Sequence, residues 1–231
     1  MKILEVKNIN KSFDNKKIID NVSFDIESGK IVGLLGKNGC GKTTIIKMIN
    51  DLLTIDSGEI LVNGQKISEE TKKIVSYLPE RTYLEPDYTV AQVFTLFEEF
   101  YSDFDRQKAE KLLKDLDLDI NSSLSKMSKG MKEKVQLILV MSRHAKLYIL
   151  DEPLGGVDPV TRDYILQTIL SNFDDGASMI ITTHIVSDIE KILDDVIFID
   201  KGKIVLTGNA DELREKEKSS INDIFRRTLK C

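Results

Sequence analysis

A glycine-rich segment that ends in a lysine and a threonine is the first place where this sequence could do chemistry. It comprises Gly36, Lys37, Asn38, Gly39, Cys40, Gly41, Lys42 and Thr43, and Thr44 follows it. Glycine adopts backbone conformations that a side chain would forbid, so successive N–H groups can curl around an anion. The spacing G-x-x-x-x-G-K-[ST] therefore predicts a loop that binds the phosphates of a nucleotide.

The segments on either side of this loop fit that prediction. Residues 31–35 form an apolar run typical of a strand, and residues 44–53 are compatible with a helix. A helix that starts near Lys42 directs its unpaired N–H groups and the positive end of its dipole at the phosphates. Lys42 would reach the β- and γ-phosphates, and the Thr43 hydroxyl would hold Mg²⁺. The alternative is a glycine-rich turn between a strand and a helix.

The two cysteines of the chain are Cys40, inside the loop, and Cys231, its last residue. Two cysteines so placed make neither a disulfide framework nor a zinc site, and they fit a reducing cytosol. Beside a helix N-terminus a thiol tends to ionise, so we expect Cys40 to favour the thiolate. Its alkylation should then inactivate the free protein, and ATP should slow the labelling.

Two adjacent carboxylates end an apolar segment further along the chain. Residues 147–150 predict a buried strand of a parallel sheet, and Asp151 and Glu152 follow directly. Carboxylates at the end of a buried strand are costly unless a cation or a reaction uses them. We interpret Asp151 as a ligand of Mg²⁺ through water and Glu152 as the base that orients and deprotonates the attacking water. The alternative is a helix cap followed by a solvated glutamate.

Length and composition narrow the class of protein. With 231 residues and 41% apolar content, the chain can bury a core as one large α/β domain. A net charge of −5 argues against sequence-independent nucleic-acid binding, which needs clustered Lys and Arg. No apolar run is long enough to span a bilayer, and the first residues lack the features of a secretory signal. Any role at a membrane is therefore expected to require a partner.

Periodicity predicts an α/β core with helices inserted into it. Loose alternation at residues 3–9 and 22–26 predicts two antiparallel strands about a polar turn. Apolar residues recur at helical spacing from about Thr89, and Asp158 and Pro159 predict another helix start, with Asp158 as its N-cap. We expect one domain over residues 1–231, made of a catalytic core with an antiparallel β subdomain (1–86 and 144–208), a helical subdomain (87–143) and a helical tail (209–231).

The order of these motifs resembles that of the nucleotide-binding subunits of ABC transporters, over about residues 3–208. The resemblance assigns Ser128-Lys129-Gly130-Met131 to the position of the signature LSGGQ, residues 155–158 to the D-loop, His184 to the switch histidine, Phe13 to the base-stacking aromatic and Glu80 to the Q-loop glutamine. It implies the ABC ATPase form of the P-loop NTPase fold, with a mainly parallel sheet. It also implies ATP and Mg²⁺ as cofactors, with Lys42, Glu152 and His184 in catalysis.

In this family two subunits close head to tail, and each ATP lies between the phosphate loop of one and the signature of the other. The resemblance thus implies contacts in trans from Ser128 and Gly130, and a second ABC ATPase subunit as partner. It also implies a membrane-spanning permease subunit that holds the chain at the inner face of the cell membrane and faces the region from Glu80 to Tyr83. ATP hydrolysis would then drive transport.

Several departures and alternatives stay open at this point. Lys129 and Met131 replace a glycine and a glutamine of the signature, which could weaken contacts in trans. Glu80 either joins Thr43 and Asp151 as a ligand of Mg²⁺ or is simply solvated. The Ser-Lys-Gly pattern is similar to that of bacterial subunits paired with small separate membrane proteins, including a subgroup linked to cell-envelope and antibiotic response.

The structural alternatives are a core aromatic for Phe13, in the loop after the first strand, and an ordinary hydrogen-bonded residue for His184. We interpret His144 as a structural residue without a catalytic role. The rival functions are a soluble ABC-type ATPase acting on a macromolecular complex and a kinase with a phosphate loop. A kinase requires a phosphate acceptor, whereas an ABC ATPase hydrolyses ATP alone.

Overall fold

Two β-sheets and the helices packed on them make up the fold in the computed structural model, which describes residues 1–155, 159–174 and 176–230. Within these residues the strands are β1 Lys2–Phe13, β2 Lys16–Glu27, β3 Ile31–Leu35, β4 Ser57–Val62, β5 Gln65–Lys66, β6 Val75–Leu78, β7 Leu147–Asp151, β8 Ser178–Thr183, β9 Asp195–Asp200 and β10 Lys203–Asn209. The α-helices are α1 Lys42–Ile49, α2 Glu69–Lys73, α3 Val90–Phe100, α4 Arg106–Asp115, α5 Lys129–Met141, α6 Pro159–Ser171, α7 Ala210–Glu217 and α8 Ile221–Leu229.

The first sheet is antiparallel and has the order β2-β1-β4-β5 in the described residues. β1 and β2 meet at a two-residue turn, Asp14 and Asn15, both with positive φ. This confirms the predicted antiparallel pair, although both strands are longer than expected. Phe13 was predicted to lie in the loop after the first strand, which is wrong: it is the last residue of β1 and pairs with Lys16, because the ladder continues to the turn.

The second sheet has the order β10-β9-β3-β8-β7-β6 in the described part of the chain. All its neighbouring pairs are parallel except β9 with β10. β7 and β8 are buried along their whole length, as expected for parallel strands covered on both faces. With the antiparallel first sheet and the helices, this arrangement confirms the predicted fold class.

The parallel strands end at one edge of the sheet, and this edge gathers the predicted site. β3 leads into the phosphate loop, β7 ends at Asp151, and β8 leads to His184. β6 leads to Glu80 after Pro79. Because ligands of open α/β sheets bind beyond the carboxyl ends of the strands, segments far apart in sequence can serve one site.

Helices α3, α4 and α5 pack on one another and on the core through apolar faces. Ser128 caps α5, and the residues from Val135 to Met141 are buried, as predicted. Arg143, just after α5, is buried, and its Nε and Nη2 donate to the two carboxylate oxygens of Asp103, each at 3.0 Å. The same guanidinium donates to the Val75 carbonyl at 2.6 Å, which ties the helices to β6. The subdomain boundaries at residues 87 and 143 stay predictions.

The chain beyond β10 is helical, as expected, and α8 buries Ile221, Ile224 and Phe225 in the core. Asp158, the predicted helix cap in the D-loop, lies outside the described residues. Nδ1 of His144 lies 2.9 Å from a carboxylate oxygen of Asp174. This contact fits the interpretation of His144 as a structural residue. None of the helices in the described residues is both long and apolar enough to traverse a lipid bilayer.

Candidate active site

The phosphate loop joins β3 to α1 in the predicted strand–loop–helix order. Gly39 and Gly41 have φ of +75° and +114°, a region that side chains disfavour, so glycine is required for this path. The carbonyl of Lys37 accepts a hydrogen bond from the Cys40 N–H at 3.2 Å, which closes a turn within the loop. α1 then starts at Lys42, and its first-turn N–H groups lack intrahelical acceptors because of helix geometry.

Lys42 lies with its ammonium inside the loop, and its side chain is only 5% exposed. Its Nζ donates to the carbonyls of Gly36 at 2.8 Å and Lys37 at 3.4 Å. It also forms an ion pair with Glu152, 3.1 Å from Nζ to Oε1. The cation predicted to bind phosphate is thus paired with the carboxylate predicted to act as the base.

Glu152 has a second partner on its other carboxylate oxygen. Its Oε2 lies 2.9 Å from Nδ1 of His184. Because a carboxylate only accepts hydrogen bonds, the imidazole donates from Nδ1, and its Nε2 is left for another partner. Lys42, Glu152 and His184 therefore form one continuous chain of polar contacts at the end of the phosphate loop.

Asp151 is fully buried at the end of β7. Its Oδ1 accepts from the hydroxyls of Thr182 at 2.6 Å and Thr43 at 3.3 Å. Its Oδ2 has no hydrogen-bond partner in the part of the chain that the structure describes. Burial raises the pKa of Asp151, and the nearby charges of Glu80 and Glu152 raise it further. A buried carboxylate with an unpaired oxygen beside a threonine hydroxyl is a donor set that suits a hard divalent cation.

The Cys40 thiol does not face the phosphates. The residue is 5% exposed and packs in the core with Ile199, and a Cβ at Gly36 would lie 2.4 Å from its sulfur. Burial raises the pKa of Cys40, and this effect outweighs the lowering by Lys42. The predicted thiolate is therefore wrong, because the side chain of Cys40 is buried in the core.

A cleft of about 980 Å³ opens beside these residues. Its described lining comes from the phosphate loop and α1, from the segment after β6, from α5 and from the ends of β7 and β8. The lining residues that matter here are Asn38, Gly39, Gly41, Lys42, Thr43, Thr44, Glu80, Lys129, Glu152 and His184. Half of the predicted nucleotide-binding residues thus meet at one cleft.

Six predicted binding residues are not among the described residues that line this cleft: Gly36, Lys37 and Cys40 within the loop, and Phe13, Ser128 and Gly130 outside it. Phe13 is 44% exposed, and the ammonium of Lys11 lies 5.5 Å from its ring centroid. Ser128 and Gly130 lie at the start of α5, where the Ser128 Oγ accepts from the Met131 N–H at 3.3 Å. Lys129, from the same segment, does line the cleft.

Glu80 lines the cleft and its side chain is exposed. No group of three His, Cys, Asp or Glu side chains arranged to hold a metal occurs in the described residues. Glu80, Asp151 and Glu152 are thus not gathered at one point in this arrangement, and the assignment of Glu80 as a ligand stays a prediction.

Thr182 belongs to the site although sequence reasoning missed it. Its hydroxyl contacts Asp151 and also accepts the Glu152 N–H at 2.9 Å. The available signal was a threonine directly after the apolar run at residues 179–181, two residues before His184. Buried hydroxyls need partners, and the adjacent strand end supplies them.

Comparison with known proteins agrees with this geometry. The profile of the ABC transporter family matches residues 19–155, more than half of the chain. The ABC-type transporter ATP-binding protein EcsA of Bacillus subtilis is 31% identical over 97% of this chain and 96% of its own. The lipopolysaccharide export system ATP-binding protein LptB of Haemophilus influenzae is 30% identical over 94% of this chain and 95% of its own.

A solved structure of an ATP-binding subunit of an ABC transporter superimposes with a TM-score of 0.87 at 27% identity. The superposition covers 98% of this chain and 99% of the other. The family profile, the relatives and this structure all include the phosphate loop and the Asp151-Glu152 pair within the matched region. The chain therefore belongs to the ABC transporter family, as an ATP-binding subunit and an ATPase.

Proposed function

We propose that Lys42, Asp151, Glu152 and His184 form the hydrolytic centre of this transporter ATPase. The observation that carries the proposal is the position of Glu152, whose two carboxylate oxygens contact Lys42 and His184 at the end of the phosphate loop. A carboxylate beside the phosphate-binding lysine is placed to orient and deprotonate a water that attacks the γ-phosphate. Nε2 of His184, which has no partner among the described residues, is placed to contact that phosphate.

When ATP binds, its phosphates replace Glu152 as a partner of Lys42. In the described arrangement the ammonium is satisfied by two carbonyls and by Glu152. The triphosphate carries more negative charge than one carboxylate, and the N–H groups at the start of α1 add to its binding. Glu152 then keeps His184 as its partner and gains access to water. The base is released only when a nucleotide has taken its place on Lys42.

Mg²⁺ would be held by the Thr43 hydroxyl and by Asp151. The unpaired Oδ2 of Asp151, in a buried carboxylate whose pKa is raised, supports this assignment. When bound, the cation neutralises charge on the phosphates. Glu80 is within electrostatic reach of Asp151, since its charge contributes to that raised pKa, and it is a candidate further ligand.

The working form would be a head-to-tail dimer. The start of α5 supports this proposal because Lys129 is largely exposed and a Cβ at Gly130 would meet nothing within 4 Å. The N–H groups of this open helix start can be presented to the nucleotide of another subunit. Phosphates bridge the two halves while ATP is present, and hydrolysis removes that bridge.

A test of the dimer uses Glu152→Gln, which should trap it by preventing hydrolysis. Light scattering with MgATP should report a dimer for this variant. Adding Gly130→Glu should abolish the dimer, because a carboxylate would face the partner's phosphates, while the open space at Gly130 leaves the fold intact. A double variant that still dimerises with MgATP would argue against contacts through the start of α5.

The partner that couples hydrolysis to transport would be a membrane-spanning permease. A second groove of about 980 Å³ lies between the core and α3, and its aromatic lining is Tyr77, Tyr83, Phe97, Phe100 and Tyr101. Phe100 is 74% exposed, and exposed aromatic side chains around a groove favour a protein partner. Thr43, Glu80 and Asp151 also line this groove, so a cytoplasmic segment of the permease bound there would reach the metal site.

This docking proposal can be tested by co-purification from membranes. Phe100→Glu should lose the permease while keeping ATP hydrolysis. Val205→Glu is the matched control, since Val205 is 47% exposed on β10 and lies outside the groove lining. Equal recovery of the permease with both variants would exclude the groove as the docking site.

The proposed location is the inner face of the cell membrane, where the permease holds the chain. The alternative of a soluble ABC-type ATPase on a macromolecular complex is less favoured, because the transporter relatives match nearly the whole chain. The net charge of −5 also disfavours nucleic acid as a partner. Phosphate release by the purified chain with MgATP and no acceptor tests the enzymatic assignment. Release that requires an acceptor would indicate a kinase instead.

A further inference from the structure

We propose that Thr182 is a positioning residue that sets the orientation of both Asp151 and Glu152. The inference rests on the roles proposed above for these two carboxylates. Thr182 is fully buried on β8, and its backbone pairs with that of Asp151 on β7. It therefore lies where one side chain can reach the end of the neighbouring strand.

The hydroxyl group of Thr182 makes two hydrogen bonds, as the donor in one and the acceptor in the other. Its Oγ1 donates to Asp151 Oδ1 at 2.6 Å and accepts from the Glu152 N–H at 2.9 Å. The carbonyl of Thr182 accepts from the same N–H at 3.2 Å. A hydroxyl has one proton and two lone pairs, so both side-chain bonds can exist together.

These bonds act on the features that catalysis needs. Glu152 has a φ of +51°, an uncommon conformation for a residue with a side chain, which persists only when its surroundings hold it. The Thr182 hydroxyl and carbonyl hold it by accepting its N–H. On Asp151, the hydroxyls of Thr182 and Thr43 occupy Oδ1, and Oδ2, which has no partner among the described residues, is left for a cation.

A purely structural role for Thr182 would be to fill space in the core and satisfy buried groups. The structural role and the positioning role of Thr182 differ in which substitution keeps the activity. Valine keeps the branched shape but removes the hydroxyl, and its methyl group cannot approach Asp151 as closely as the hydroxyl does. Serine keeps the hydroxyl but loses a methyl group, so it keeps the hydrogen bonds to Asp151 and Glu152 but loses packing in the core.

The experiment compares Thr182→Val, Thr182→Ala and Thr182→Ser with the parent and with Glu152→Gln. Thr182→Ala also lacks the hydroxyl, but unlike valine it places no methyl group against Asp151. Ser178→Ala is the control on the same strand. Ser178 is also fully buried, and its hydroxyl bonds the Gly29 N–H at 2.9 Å and the Glu27 carbonyl at 3.3 Å, at the opposite end of β8. Melting temperature, kcat, KM for ATP and the gain in ATP affinity on adding Mn²⁺ are measured for each.

We expect both hydroxyl-free variants to lose about 10–100-fold in kcat, the range for residues that orient metal ligands. They should also lose most of the Mn²⁺-dependent gain in affinity while binding metal-free ATP like the parent. Thr182→Ser should recover both properties, and Ser178→Ala should change only the melting temperature.

The proposal is overturned if a hydroxyl-free variant keeps the kcat and the Mn²⁺ effect of the parent while Glu152→Gln is inactive. It is equally overturned if Thr182→Ser is as impaired as Thr182→Ala. Normal hydrolysis by Glu152→Gln would instead refute the proposed role of Glu152, and the positioning role with it.

Discussion

The ammonium of Lys42 and the carboxylate of Glu152 form an ion pair across the site, 3.1 Å from Nζ to Oε1. Both side chains are largely buried, and each neutralises the other while no phosphate is present. Glu152 therefore competes with the nucleotide for Lys42. This competition gives the carboxylate an effect on ATP binding in addition to its effect on hydrolysis.

The first prediction concerns binding. Glu152→Gln removes the competing charge and keeps the shape, so ATP should bind more tightly in EDTA, by about 5-fold for a pair worth ~1 kcal/mol. Titration with a fluorescent ATP analogue measures the affinity. Glu215→Gln, an exposed glutamate on α7, controls for the change in net charge. Weaker ATP binding by Glu152→Gln would mean that the ion pair does not oppose the nucleotide.

A second prediction concerns His184, whose Nδ1 donates to Glu152 at 2.9 Å. His184→Ala should lower kcat by about 10–100-fold, as for other groups that orient a reacting residue. Its KM for ATP should change less, because Lys42 and the loop amides still bind phosphate. His184→Gln can still donate a hydrogen bond and should recover part of the rate. Steady-state kinetics that show an undiminished kcat for His184→Ala would remove this residue from the mechanism.

The third prediction reverses the expectation from sequence for Cys40. Burial and a raised pKa leave little thiolate at pH 8, so alkylation of the folded protein should be slow with or without ATP. The assay uses a Cys231→Ser background and follows labelling by mass spectrometry. Denaturant should make Cys40 react rapidly, which serves as the internal control. Fast labelling of the native protein that ATP suppresses would instead indicate a thiol facing the phosphates.

A fourth prediction concerns the cap of α4, where the Asp105 carboxylate accepts from the Lys108 N–H at 2.9 Å. This hydrogen bond lowers the pKa of Asp105 below its ordinary 3.8. A lowered pKa in the folded state contributes stability above the unfolded pKa, and this stability is lost as the pH falls through the folded pKa. The contribution should therefore be complete at pH 6 and fade below about pH 4.

Thermal melts of three variants test the cap. At pH 6, Asp105→Ala should cost about 1 kcal/mol, or about 2–4 °C in Tm for a chain of this size. The difference between parent and Asp105→Asn should shrink as the pH falls below 4, because asparagine caps without a charge. If that difference stays constant down to pH 3, the charge of Asp105 contributes nothing.

The sequence predicts those parts of the fold and site that depend on backbone pattern. The phosphate loop and the strand before Asp151 lie where the spacing of glycines and apolar residues indicates. These features are local, since each is determined by the conformations allowed to a few consecutive residues. The parallel sheet follows from the same patterns, because fully apolar short strands must be covered on both faces.

The features that were missed depend on side-chain direction and on contacts between distant segments. Cys40 is buried in the same core cluster as Ile199, about 160 residues away in sequence. The contact of Lys42 with Glu152 and that of Thr182 with Asp151 join different strand ends. Motif spacing states which residues are present, but these pairings exist only after the strands are ordered in the sheet.

Phosphate release by Glu152→Gln tests whether Glu152 is the base of an ATP-hydrolysing site. ATP binding is measured in the same samples, which distinguishes a loss of hydrolysis from a loss of ATP binding. We expect the parent to hydrolyse MgATP without an acceptor, whereas Glu152→Gln should bind MgATP and lose about 10²–10⁴-fold in kcat. Hydrolysis by Glu152→Gln at the rate of the parent would contradict this role of Glu152.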